Sequence, residues 1–376
     1  MYRAGVANLP LHHGRAPQYL IARMSKMAKE ITTIIVDQYG REEFLRRVAD
    51  PYWFQALGCV LGYDWHSSGV TTVVTGILKQ AISGHELGLA VCGGKGRASK
   101  KAPVEIGLIG EEFGFSDDSI ESLRYASRMT AKVDNAAIQA GYQLYHHAFF
   151  VAEDKKWSVV QQGMCLEDRT ARRYHWLSDS FKTFVVEPHS AIVGDVKRNS
   201  VLDMTAKQSE GSRKASVDIA KEDPRKLMRI VDSAKSEFQR SLGEWLPAKS
   251  KRDSKEFQLE TLSMPRNINW KTMREVYEFQ PSNYEQLLAF RGVGPATIRG
   301  LALVAEVIYG EKSSWKDPVK YSFAYGGKDG VPYPVDRKAM DESIQILRQA
   351  VQEAKIGDPD KVRSLRKLTQ FLPEPA

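Results

Sequence analysis

The sequence predicts an α+β fold: an N-terminal mixed domain with a small antiparallel sheet, followed by an all-α part. Three observations carry this expectation. Apolar residues recur at three and four positions within residues 16–80, the period switches to two over residues 142–163, and from about residue 257 it is helical again.

The elements follow in chain order. Tyr19, Leu20, Met24, Met27 and Ile31 repeat at helical spacing, and residues 69–82 read as a further helix. Residues 87–92 form a short strand that runs into Gly93-Gly94-Lys95-Gly96-Arg97. Ser116, followed by Asp117 and Asp118, is an N-cap that starts a helix reaching to about residue 140, because its hydroxyl can accept an orphan amide. Gln143, Tyr145, His147, Phe149 and Val151 then alternate with Tyr142, Leu144, His146, Ala148 and Phe150. With Glu153-Asp154-Lys155-Lys156 as its turn and residues 157–163 as the return strand, this is a β-hairpin. A short strand is expected at 183–187 and a helix at 224–242. The chain divides on this reading into an α+β unit at 1–205, a charged helical linker at 206–256 and a helical unit at 257–376. KSKRDSKE at 249–256 is the linker-like stretch.

The 376 residues carry a formal net charge of +8. A basic balance fits a polyanionic partner without selecting one. Apolar runs fall short of the roughly 18 residues that span a bilayer, so no membrane association is expected. The N-terminal stretch lacks the apolar core of a signal peptide, and the expected location is cytoplasmic. Cys59, Cys92 and Cys165 are far apart and odd in number, which supports neither a disulfide framework nor a zinc ribbon. All eight histidines lie between His12 and His189, so imidazole chemistry belongs to the first half.

The strongest motif is NYEQLLAFRGVGPATIRGLALVAEVIYG at 283–310. Asn283 can cap a short helix, Gly292 and Gly294 can expose backbone amides, and Pro295 suits a first helical turn. Amides at the second helix's N-terminus attract an anion, and Arg291 and Arg299 add charge. Arg291, Gly292, Val293, Gly294, Ala296, Thr297 and Arg299 are therefore the expected DNA contacts, carrying position and not base sequence. Lys95 and Arg97, in a turn that lacks Walker spacing, are expected to touch the same DNA.

This segment resembles the helix-hairpin-helix modules of DNA repair enzymes and nucleases. YPVDRKAMDESIQIL at 333–347 is similar to the stretch that supplies a catalytic aspartate in helix-hairpin-helix glycosylases, and Asp336 takes that position. Ala296 stands where bifunctional members carry a lysine. The whole chain resembles a family of archaea and thermophilic bacteria, domain of unknown function seven-six-three, through RAGVANLPLHHGRAP, GYQLYHH, WSVVQQGM, ARRYHWLS and YSFAYGGKDGVPYPVD. That resemblance implies nucleic-acid processing.

Chemistry is expected in the first half. A four-residue turn at 153–156 pairs positions that sum to 309 and puts His147 opposite Gln162. Asp134, His147 and Glu187 are then candidate ligands for a divalent metal, magnesium or manganese, with Gln162 orienting. The expected function is a divalent-metal-dependent nuclease acting on DNA, with a homo-oligomer allowed. A glycosylase using Asp336 and a non-catalytic DNA-binding protein are the alternatives.

Overall fold

The period-two run at 143–151 sorts two apolar layers onto opposite faces of one sheet. In this computed structural model, residues 18–62, 69–82, 85–194, 196–232, 264–265, 267–319 and 337–370 are described. Strands β1 (Leu89–Lys95), β3 (Gln143–Ala152), β4 (Trp157–Cys165), β5 (Thr170–Leu177) and β6 (Ala191–Gly194) form an antiparallel sheet in the order β1-β3-β4-β5-β6. A two-stranded pair joins β2 (Ile138–Gln139) to β7 (Leu202–Asp203). The chain is thus mixed α+β, mostly helical, with a small antiparallel sheet.

Side chains alternate across a strand, so each face recruits its own helices. Ala148, Phe150, Val160 and Val91 pack with α1 (Gln18–Ala49), α2 (Pro51–Val60) and α3 (Gly69–Ala81). The same layer takes Leu347, Val351 and Leu368 from the helices Arg337–Glu353 and Asp358–Gln370. Cys92, Phe149, Val159, Tyr174 and Trp176 face the other layer. There they meet α4 (Ala102–Glu112), α5 (Asp117–Lys132), α6 (Glu210–Ala220) and the helices Trp270–Phe279, Tyr284–Ala289 and Pro295–Tyr309. The described residues from 264 onward therefore divide between both layers. Residues 249–256 and Asp336 lie outside the described residues.

The hairpin β3–β4 carries a correction. His147 pairs with Gln161 and His146 with Gln162, so positions sum to 308. Ala152 accepts from Lys155 N at 2.8 Å and donates to Lys156 O at 2.9 Å, which leaves a loop of three residues, 153–155. Lys155 closes it with φ 70°, the left-handed residue that three-residue hairpins use. The expected four-residue turn missed this, and one residue of slip exchanges the partners of both histidines.

Two further expectations are corrected. Helix α5 stops at Lys132, and a π turn at Val133–Ala137 carries the chain into β2, so helix does not persist to 140. Residues 183–187 are not a strand; Phe181 and Phe184 fold onto Trp157 and Trp176 instead, with ring centroids 5.7–6.3 Å apart. The strands that complete the sheet are β5 and β6.

An ion pair ties the segment after the hairpin helices to the sheet. Arg172 on β5 gives Asp317 two bonds, 3.0 and 2.7 Å long, and both side chains are fully enclosed.

Candidate functional site

Helix α5 builds the site because its buried stripe changes character. Ile120 and Leu123 lead, at alternating steps of three and four, to Ser127, Thr130 and, in the π turn that follows, Asp134, all buried. Polar groups that face a core need partners, or each costs on the order of 1–3 kcal/mol. Here they find one another.

Asp134 anchors the chain of contacts. Its Oδ2 accepts from Trp176 Nε1 at 3.0 Å and from Gln161 Nε2 at 2.5 Å, and its Oδ1 bonds His189 Nε2. Burial pushes this carboxyl above its ordinary value, and the His189 contact pulls it back. Trp176 is an unambiguous donor and Gln161 offers its amide nitrogen to the same oxygen, which leaves Gln161 Oε1 for His147 Nδ1 at 2.8 Å. An amide oxygen only accepts, so the neutral His147 carries its proton on Nδ1. Its Nε2 is then an acceptor, 2.9 Å from the Ser127 hydroxyl, which donates to it. Burial holds His147 down to about 4, so it is neutral at pH 7.

The far end of this relay opens on a cavity of about 210 Å³. Ser127 and His147 line it together with Ser99, Lys100 and Arg128. Lys95 and Arg97 lie exposed in the turn that leads from β1 to Lys100. Glycine is required in that turn. Gly93 has φ 92°, and a Cβ there would collide with the backbone carbonyl of His147. Lys79 and Glu105 pin the same point, through Lys79 Nζ to Gly93 O at 2.9 Å and Gly93 N to Glu105 Oε2 at 2.7 Å. A basic turn is thus locked over the strand that carries the histidine. At the opposite end, His189 lines a second cavity of about 280 Å³ with Glu187, Asp203 and Lys207.

The hairpin helices sit on the same helix α5. Asn283 caps Tyr284–Ala289 by accepting from Gln286 N at 2.9 Å. Gly294 precedes the 15-residue helix Pro295–Tyr309, with Pro295 at its first position, and Gly310 ends it at φ 73°. Lys132 Nζ reaches Phe290 O at 3.1 Å and also Val293 O, so the turn is held from beneath. Desolvation lowers the Lys132 ammonium from its ordinary value. The first helical bond runs from Ile298 N to Gly294 O, which leaves the amides of Ala296 and Thr297 without helical acceptors. Arg291 and Gly292 are exposed, Val293 is buried, and the Thr297 side chain is buried. Arg299 is half-buried; its Nε donates to Gln139 Oε1 at 2.8 Å, and its guanidinium lies 5.9 Å from the Trp315 ring centroid.

The residues singled out from the sequence fall into three groups. Asp134 and His147 do not touch but are joined through Gln161. Gln162 lies on the opposite face, where it accepts from Thr71 and donates to Tyr145. Glu187 is turned to Lys207 at 3.2 Å and belongs to the second cavity. No group of three or more His, Cys, Asp or Glu able to hold a metal occurs among the described residues. Asp134, with three donors on two oxygens, and His147, with both nitrogens engaged, do not fit a divalent ion together with Glu187. Ser127, Gln161, Trp176 and His189 were not read from the sequence. The polar run inside the apolar stripe of α5 was the signal for Ser127.

Fold and site together define a mixed α+β protein whose Ser–His–Gln–Asp chain opens on a basic cavity. The chain belongs to the family DUF763, a family of proteins of unknown function, whose profile matches residues 5–335. No curated protein and no solved structure matches the chain. No helix among the described residues is long and apolar enough to cross a membrane.

Proposed function

We propose that this protein binds DNA through its phosphate backbone and hydrolyses phosphodiesters. The observation that carries the reading is the turn 290–294. Between two helices, exposed Arg291 and Gly292 stand there beside two amides without helical acceptors at the start of a 15-residue helix, which supports reading the segment as a helix-hairpin-helix. That helix end favours negative charge, and its contacts carry no base information. The charge of +8 and the exposed Lys95 and Arg97 extend the same surface chemistry.

Labelled duplexes of unrelated sequence test the binding. All should bind with similar affinity, which falls steeply with salt as counterions are displaced. Affinity that ignores salt, or that depends strongly on sequence, would sink the reading. Hydrolysis is tested with single- and double-stranded DNA in the presence of magnesium, manganese or a chelator. Abasic sites in place of strand breaks would favour a glycosylase.

A further inference from the structure

We propose that Ser127 is a nucleophile for phosphorus, with His147 as its general base and the cavity beneath Lys100 and Arg128 as the phosphoryl site. This deepens the reading of the chain as a phosphodiester hydrolase and rests on it for the identity of the substrate.

Four observations carry the assignment. Ser127 donates to His147 Nε2 at 2.9 Å, within reach for proton transfer. Gln161 accepts from His147 Nδ1 at 2.8 Å, so the lone pair that faces Ser127 is fixed. Asp134 holds Gln161 in that orientation from behind, at 2.5 Å. Nucleophile and base line one cavity with Lys100 and Arg128, which are placed to balance a phosphoryl group's negative charge. A nucleophile, a base within hydrogen-bond reach and a group that orients the base are the arrangement that covalent catalysis requires.

The volume narrows the substrate. About 210 Å³ is below the roughly 300 Å³ at which sites enclosing drug-sized ligands begin. It suits a phosphodiester group inserted from a strand that runs outside. Lys132, five residues after Ser127 and about 7.5 Å further along α5, holds the hairpin turn. The hairpin turn and the cavity therefore hang on one helix.

The step balances as follows. Ser127 Oγ bonds to phosphorus while its proton passes to His147 Nε2. The bond from phosphorus to the departing strand breaks, and the leaving oxygen takes the proton from Nε2. Water then attacks phosphorus and gives a proton to Nε2. The bond from phosphorus to Ser127 Oγ breaks, and Oγ recovers that proton.

Diisopropyl fluorophosphate tests the nucleophile without DNA. Peptide mapping should find the wild-type chain phosphorylated on Ser127 with loss of fluoride. Ser127→Ala should take no label, and His147→Gln should react at least ~100-fold more slowly, the lower end for loss of a general base. Melting temperatures identify any variant that has not folded, and the labelled position in the wild-type chain together with the rate in folded His147→Gln carries the test if Ser127→Ala fails. An unlabelled wild-type chain, or label on another residue, overturns the proposal. So does strand cleavage by folded Ser127→Ala at the wild-type rate. Labelled Ser127 in a protein that neither binds nor cuts DNA would uphold the nucleophile and remove the DNA reading instead.

Discussion

Asp134 sets the tautomer of His147 without touching it, because Gln161 gives its amide nitrogen to the carboxylate at 2.5 Å and its oxygen to His147 Nδ1 at 2.8 Å. The amide works as a two-ended key: whichever end the carboxylate takes, the histidine receives the other. Trp176, at 3.0 Å from the same Oδ2, keeps that oxygen an acceptor.

Asp134→Asn removes this constraint, since an amide can present either end to Gln161. We expect His147 to populate both neutral tautomers, visible in the nitrogen shifts of a histidine-labelled sample. Reaction of Ser127 with diisopropyl fluorophosphate should slow by about 10²–10⁴-fold, the range for loss of a positioned base. A tautomer unchanged from the wild type would show that Gln161 is held by something other than Asp134.

The hairpin separates two glycines that sequence treats alike. Gly292 has φ 92°, and a Cβ there would strike Thr272, so Gly292→Ala should cost about 1–3 kcal/mol of stability. Gly294 is extended, with open space around a built Cβ, so Gly294→Ser should leave the melting temperature nearly unchanged. Only the second variant reports on binding cleanly. We expect a larger side chain there, as in Gly294→Val, to weaken all duplexes about equally, and a folded Gly294→Val with wild-type affinity would move the phosphate grip elsewhere.

Lys132 is the underside of that turn. Lys132→Met retains the stem but loses bonds from a charged donor to Phe290 O and Val293 O, each worth roughly 1.5–3 kcal/mol. Hydrogen exchange at residues 290–294 should accelerate while the sheet stays protected. Equal acceleration across β3 and β4 would mean that the turn is not a separate unit.

Breaking the enclosed pair Arg172–Asp317 leaves a charge without a partner. Asp317→Leu or Arg172→Met alone should lose about 3–5 kcal/mol, whereas the two combined should recover much of that loss. Chemical denaturation of the two single variants and the double variant measures the coupling, and additive effects would contradict it.

Acid should unfold the protein through its buried imidazoles. Burial lowers His146 to about 3 and His147 to about 4, and His175 lies well below its ordinary value of 6.5. Above 6.5 neither the folded nor the unfolded chain protonates them, so they leave stability untouched there. Below 6.5 the unfolded chain takes protons that the folded chain refuses. Stability should therefore fall as pH drops from 6.5 towards 4, by roughly 1.4 kcal/mol per pH unit for each histidine. Urea midpoints that stay flat from pH 7 to 5 would show that these groups are solvated.

What the sequence determined about this protein is local. Alternation over 143–151 puts His146 and His147 on opposite faces whatever the register, because side-chain direction has a period of two. Asn283, Gly294-Pro295 and Gly310 mark the hairpin helices through caps that act within one turn. The spacing of Ile120, Leu123, Ser127 and Thr130 already lines up polar groups on the buried face of α5, and Asp134 follows one step on in the π turn. Which partners those groups meet was decided only by tertiary structure. Register follows from the three-residue loop that left-handed Lys155 closes, a length no periodicity encodes, and it places Gln161 instead of Gln162 beside His147. His189 reaches Asp134 from 55 residues away, and Lys132 meets Val293 from 161 away. Contacts at that separation depend on how whole layers pack, so they exist only once both faces of the sheet are covered.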